Sequence, residues 1–210
     1  FGFPISYNNG LILTLLFQAF YTSMVMAGIV VAHAYPRATR MLWGLGGVWI
    51  ITGVIFGFNP NAVWSQFLGY PAVAAMQVAV VYVLLRYVLD AKRITQNVLI
   101  AAVAAYLRLG GVFVPIYGLI DITTFTLSGG AAHAFSDPTL TDLNEPIPWQ
   151  VFNYYSYATL STLGYGDVLP INMWSRAAAS LEATVGVLYT TIIIARLVGL
   201  YTAEEAEDVI

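Results

Sequence analysis

The residues from Thr159 to Asp167 read Thr-Leu-Ser-Thr-Leu-Gly-Tyr-Gly-Asp, with Gly164 and Gly166 at alternate positions. Glycine adopts left-handed backbone about as readily as right-handed. A stretch that alternates the two hands turns successive carbonyls toward one axis. Such a row of oxygens can replace the hydration shell of a bare cation, and that is the chemistry expected of this segment. Thr162 adds a hydroxyl at the start of the row. Leu163 and Tyr165 would send their side chains the other way, to pack behind the oxygens and hold their spacing. A lone Gly-Tyr-Gly is a weak signal, since tight turns in solvent loops use it too; the whole string is a much stronger one.

Other groups able to do chemistry are few. The absence of cysteine excludes disulfides, iron–sulfur clusters and thiolate zinc sites. His33 and His133 are far apart and have no carboxylates at ligand spacing, which weighs against a metalloenzyme or a histidine-based hydrolase. Glu182 lies inside an apolar run, where an ionisable group invites a functional reading. Two readings stand: a brace or titrating group behind the row of carbonyls, or a carboxylate satisfied by neighbouring groups without a gating role. Arg108 also interrupts an apolar run. Side chains lean toward the N-terminus of their own helix, so Arg108 is expected to snorkel to the interface rather than to meet Glu182. Asp121, Asp137, Asp142 and Glu145 surround a polar stretch, where they either concentrate cations or are merely solvated. His133 reads as a surface histidine rather than a pH sensor, and His33, near the inner interface, reads the same way. Gly53 and Gly57 form a Gly-xxx-Gly pair that could seat a neighbouring helix.

The elements that must position these residues follow from composition. Of 210 residues 59% are hydrophobic and 9% are charged, against about 25% charged in a soluble domain. Most of the surface therefore faces something other than water, and no basic footprint points to nucleic acid. A membrane helix needs about 20 mostly apolar residues. Spans are expected at Leu11 to Ala32, Met41 to Phe58, Ala72 to Leu89, Asn97 to Phe125 and Trp174 to Tyr201, with Pro115 kinking the fourth. The second is slightly short unless its flanks join it. Ser128 to Pro148, rich in Gly, Pro, Asp and Thr, reads as a surface loop. Trp149 to Ser161 is apolar and aromatic and can form a short re-entrant helix. Arg37, Arg40, Arg86, Lys92 and Arg93 fall in two alternate junctions, which go to the cytoplasmic side. Residues 1–10 and the loop 128–148 then lie outside, and the C-terminus lies inside. An uncharged outside start suggests a further helix upstream, with Phe1 to Ile5 as its end.

The string around Gly164 resembles the potassium-channel signature, with Leu163 where valine is common. From Ala91 to Tyr201 the chain is similar to a bacterial group of potassium channels that carry extra helices before the pore. Residues 1–90 match that group only in being hydrophobic and helical. The resemblance implies a homotetramer in which four chains contribute rings of carbonyls from Thr162, Leu163, Gly164 and Tyr165, with the Thr162 hydroxyl innermost. Potassium is then the permeant ligand and no cofactor is needed. Gly166, Asp167, Tyr154, Tyr155, Trp149 and Glu182 would support the filter. Tyr154 and Tyr155 stand where the family often has an aromatic cuff. Some members brace the aspartate with a glutamate nine residues earlier, a position held here by Ala158. Asp167 must find another partner, for which Trp149 and Tyr155 are the candidates. Gly186 follows Gly166 by twenty residues and takes the place of a hinge glycine. The segment near Thr190 and Ile194 would line a cavity, and Val198 to Thr202 would form the gate. The third span lacks arginines at every third residue, so voltage sensing of that kind is not expected.

The expected fold is an all-α membrane protein. Residues 1–95 hold three transmembrane helices. Residues 96–202 hold a tetrameric pore domain: outer helix 97–125, extracellular loop 126–148, pore helix 149–161, filter 162–167 and inner helix 174–201. Residues 203–210 form an acidic cytoplasmic tail, read as a charge ring below the gate or as the solvated end of the helix. Partners would be three identical subunits and membrane lipids, with no nucleic acid; a cytoplasmic regulator stays open. Beside a potassium-selective channel in the cell membrane stands one alternative, a non-conducting channel-like subunit with an assembly or sensing role. A membrane enzyme or redox subunit lacks any cofactor motif.

Overall fold

A computed structural model of the chain describes residues 36–59, 62–138 and 145–207. The expected first span, Leu11 to Ala32, lies outside the described residues, as do Phe1 to Ile5, His33 and Asp142. So do the side chains of Arg37, Glu204, Glu205, Glu207 and Asp208.

Five helices carry the described chain: α1 (Pro36–Phe58), α2 (Val63–Asp90), α3 (Gln96–Leu127), α4 (Trp149–Leu160) and α5 (Met173–Glu207). Four of them contain stretches long and apolar enough to cross a membrane: Thr39–Phe58, Val63–Asp90, Gln96–Leu127 and Met173–Thr202. The shorter α4 sits between the last two. A two-residue antiparallel pair, β1 (Phe135–Ser136) with β2 (Leu169–Pro170), corrects the expectation of a purely helical chain. It joins the loop before α4 to the segment that follows Asp167.

Helix boundaries follow local chemistry. α3 starts behind Thr95, whose hydroxyl accepts from the Val98 N–H at 3.3 Å, an N-cap of the usual kind. α5 starts behind Asn172, whose side-chain oxygen accepts from the Ser175 N–H at 2.8 Å. α2 begins nine residues before the expected Ala72 and runs through Pro71. The proline removes one backbone donor, but the turn before it is held by burial: Ser65, Gln66, Gly69 and Tyr70 are all inside. Pro115 likewise lies within an unbroken helix. α5 continues to Glu207, so the first part of the expected tail is helical backbone.

Three apolar clusters hold these helices together. The first joins α1, α2 and the N-terminal half of α3, with Ile193 of α5 packed into it. The second joins α3, α4 and α5 around Tyr117, Phe135 and Phe152. The third places Tyr70, Ile122 and Phe125 against Trp149 at the start of α4. Close packing of α3 depends on missing side chains. A Cβ on Gly118 would lie 2.4 Å from the Tyr70 ring, and one on Gly111 would lie 2.8 Å from the Gln77 amide. Glycine lets helix surfaces approach where lipid gives no hydrophobic drive. At Gly57, among the described residues, nothing lies within 4 Å of a Cβ.

Candidate functional site

The site is built at the end of α4. Its last turn closes in a Schellman cap: Thr162 N–H donates to Thr159 O at 3.0 Å and Leu163 N–H to Ala158 O at 2.9 Å. The residue that takes the left-handed conformation in this cap is Thr162, with φ of 58°. A β-branched residue there is a genuine outlier. Gly164 follows with φ of 55° and Gly166 with φ of 78°. Left-handed backbone thus recurs at alternate positions, 162, 164 and 166. The two glycines were legible in the sequence and the threonine was not. Gly164 N–H also reaches Ala158 O, at 3.2 Å, so the start of this segment hangs from the C-terminal end of α4. Leu163 and Tyr165 are exposed within the single chain, 53% and 70%.

Asp167 stands at the far end of the segment, and its partner is Tyr154. The tyrosine hydroxyl donates to Asp167 Oδ2 at 2.6 Å. That bond, with the Val168 N–H donating to Oδ1 at 3.0 Å, holds the carboxyl below its ordinary value despite its exposure. The partners expected for it are engaged elsewhere. Tyr155 faces the opposite way, its ring 5.1 Å from that of Tyr117 and 5.2 Å from that of Phe135. Trp149 packs on the Tyr70 cluster at the other end of α4. Adjacent residues on a helix diverge by about 100°, which explains why Tyr154 reaches the segment and Tyr155 the core.

Glu182 on α5 is fully buried. The Tyr117 hydroxyl of α3 donates to its Oε2. On the other side Ser156 Oγ of α4 lies 2.5 Å from its Oε1, and 2.7 Å from Gly110 O of α3. The carboxyl is therefore enclosed by neighbouring polar groups, and one side chain ties three helices behind the segment. Gly186, one turn further along α5, lies against the last residue of α4. A Cβ on it would sit 2.5 Å from Leu160 O and 3.0 Å from Leu160 Cδ1.

The polar groups expected at the surface are inside. Arg108 is buried, with Nη1 donating to Gln77 Oε1 of α2 at 2.9 Å, so it does not snorkel. Asp121 is buried too, and it fastens the loop rather than facing the mouth. Its Oδ1 accepts from Ala134 N–H at 2.7 Å and its Oδ2 lies 3.0 Å from His133 Nδ1. His133, stacked on Phe125 at 5.0 Å, is no surface histidine. Phe135 next to it fills the cluster behind α4, and Ala134 and Ile147 are buried with it. The loop was read as solvated from its Gly, Pro and Asp content. The apolar run Ala134-Phe135 was the signal that it plugs the core.

At the cytoplasmic end expected for α5, Arg196 clasps the end of α2. Its guanidinium donates to the carbonyls of Val88, Leu89 and Ala91, the last at 3.0 Å. Cations at a helix C-terminus satisfy its last carbonyls and oppose its dipole. Tyr189 adds a bond to Ala102 O of α3 at 2.6 Å. The half of α5 that follows Gly186 is thereby docked on the helices that precede the site.

Residues 119–203 match the sequence model of a family described as ion channel. The matched stretch runs from the last turns of α3 through the loop, α4 and the 162–167 segment to the end of the apolar part of α5. No curated protein and no solved structure matches the chain. The matched family is one of channels, not of enzymes. Four helices among the described residues are long and apolar enough to cross a membrane, as in a multi-pass membrane protein, and residues 119–203 are similar to an ion channel domain.

Proposed function

We propose that the chain is one subunit of a homotetrameric, potassium-selective channel that conducts passively through rings of backbone carbonyls. The observation that carries this reading is the left-handed backbone at Thr162, Gly164 and Gly166. In a peptide that alternates in this way, the carbonyls of Thr162, Leu163, Gly164 and Tyr165 can share one axis. Four such rows, with the Thr162 hydroxyls innermost, supply the multiple adjacent sites that knock-on conduction needs. One chain supplies a quarter of each ring.

The exposure of the inner helix supports assembly. In its most apolar window 11% of residues are buried within the chain, against 50% for α3. Ile194, Val198 and Tyr201 are all more than half exposed. In the tetramer Thr190 and Ile194 face a cavity and Val198 to Thr202 form the gate. Tyr154 and Asp167 brace the mouth, and Gly166 completes the turn out of the filter. The loop 126–148 faces outward and the C-terminus lies in the cytoplasm, as the placement of basic residues suggests. Gly186 serves this pore either as a hinge or as a packing contact, and Trp149, Tyr155 and Glu182 hold α4 from behind.

The test is flux from liposomes containing the purified protein, with its oligomeric state measured in parallel. Potassium efflux that greatly exceeds sodium efflux, from a tetramer, is expected. Equal fluxes of the two ions would defeat the selectivity claim. Tetramers without flux would favour the non-conducting reading.

A further inference from the structure

The hydrogen atoms around Glu182 do not suffice if its side chain is a carboxylate. Three oxygen–oxygen contacts meet there: Tyr117 Oη with Glu182 Oε2, Ser156 Oγ with Glu182 Oε1 at 2.5 Å, and Ser156 Oγ with Gly110 O at 2.7 Å. Each needs one hydrogen, since two oxygens at hydrogen-bond distance with only lone pairs between them repel. Tyr117 supplies one and Ser156 supplies one. Gly110 O is a carbonyl and can only accept. The remaining hydrogen has one possible source, the carboxyl group itself.

We infer that Glu182 is held as a neutral carboxylic acid that donates from Oε1 to Ser156 Oγ, and that it acts as a positioning residue for the 162–167 segment. The chain of bonds then runs in one direction. Tyr117 donates to Oε2, Glu182 donates to Ser156, and Ser156 donates to the Gly110 carbonyl. Every hydrogen is used once and every contact is satisfied.

Burial argues independently for the same state. Glu182 has no exposed surface, and among the described residues no ion pair reaches it. The groups that face it are Tyr117 from α3 and Ser156 and Tyr155 from α4, all hydroxyl-bearing and none a cation. An isolated carboxylate in such a place is costly, and a protonated one is not. The acid also explains how α4 is seated. Ser156 lies just before Ala158 and Thr159, whose carbonyls accept from Thr162, Leu163 and Gly164. A shift of Ser156 relative to α3 and α5 would be passed directly into that segment.

The protonation state stands on its own, whereas its consequence for ion selection rests on the proposed function, and one experiment separates them. Infrared spectra of the intact protein in lipid vesicles, in water and deuterium oxide at neutral pH, are compared with those of E182Q. The carbonyl band of a protonated carboxylic acid is expected in the parent and lost in E182Q. A band of ionised carboxylate lost in its place would overturn the inference. The amide introduced by E182Q can give one N–H to Ser156 and accept from Tyr117 but leaves its second N–H over, whereas E182L can do neither, so E182L should lower the potassium-to-sodium flux ratio further than E182Q does. A folded E182L tetramer that keeps the parent's ratio would overturn the positioning role assigned to the neutral acid. Should E182Q fail to fold, Y117F replaces it: loss of the hydrogen bond to Oε2 should move the acid band to higher frequency, and an unmoved band would overturn the assignment. If the parent carries no ions, the proposed function fails while the band still decides the protonation state.

Discussion

Within its own chain, backbone conformation rather than space limits the choice of residue at 164. A Cβ there would meet nothing within 4 Å, but φ is 55°. An L-residue in left-handed backbone costs about 1–2 kcal/mol, and a tetramer would bear that cost four times in one ring. Gly164→Ala is therefore expected to abolish potassium flux while tetramers still form, as flux and size measurements on the same sample would show. Thr162 already carries such a strain as a β-branched residue, in the range of about 1–3 kcal/mol. A cap that would ordinarily take glycine keeps a hydroxyl instead, which is what an ion site would require. Asp167 offers a pH test. Tyr154 lowers its carboxyl from the ordinary 3.8. A lowered folded value means that the contribution is complete above about pH 4 and is lost only as pH falls through the lowered value. Without the tyrosine hydroxyl the loss should begin at higher pH. Tyr154→Phe should thus shift the acid limb of external-pH flux curves upward, and an unshifted limb would separate Tyr154 from the mouth.

At the scale of elements, sequence and structure agree where periodicity and length speak, and part where tertiary partners decide. The spans from Met41 onward, the short helix from Trp149 and the segment from Thr162 to Asp167 could all be read from apolar length and glycine placement. The extension of α2 through Pro71 could not, because it rests on burial of Gln66 and Tyr70 against helices distant in sequence. Arg108 and Asp121 were misplaced for a related reason. A charge in an apolar run says only that it must be satisfied; the partners, Gln77 in one case and Ala134 with His133 in the other, come from the fold. The site was legible in its glycines and in Asp167, and less so in its supports: Ser156 and Tyr117 carry no sequence signal of their own. Glycine seats show the same limit. Gly57 has the pattern but meets nothing among the described residues, whereas Gly118, which has no such pattern, meets the Tyr70 ring. Gly118→Ala should destabilise the protein by about 1–3 kcal/mol through overpacking against the buried Tyr70 ring. Gly57→Ala should be neutral or stabilising, by up to about 1 kcal/mol from helix preference. Thermal unfolding of the two variants in one detergent checks the contrast, and equal shifts would refute the packing argument.

For the whole molecule, what matters is how the long helix α5 is coupled to the segment that α4 presents. Two couplings meet near the middle of α5. Beyond Gly186, Tyr189 and Arg196 dock the helix on α3 and on the end of α2. Before it, Glu182 fastens the helix behind α4. Gly186 itself touches the last carbonyl of α4, two residues before Thr162. A hinge glycine and a packing glycine predict different phenotypes here. As a hinge, Gly186→Ala would only stiffen the helix, by roughly 1 kcal/mol per subunit, and would change open probability while leaving ion preference intact. The geometry favours a stronger effect. A Cβ at 2.5 Å from a backbone oxygen cannot be relieved by a rotamer change, so either α5 or the end of α4 must move. Gly199, in the proposed gate of the same helix, provides a control for ion preference, since nothing among the described residues of its own chain lies within 4 Å of a Cβ. Gly199→Ala should add the same helix preference without the clash. The expected outcome is that Gly186→Ala lowers the potassium-to-sodium flux ratio or the yield of tetramers, whereas Gly199→Ala leaves both unchanged. If the two variants instead alter open probability alike and spare ion preference, helix stiffness governs both positions and the contact between Gly186 and Leu160 has no part in holding the 162–167 segment.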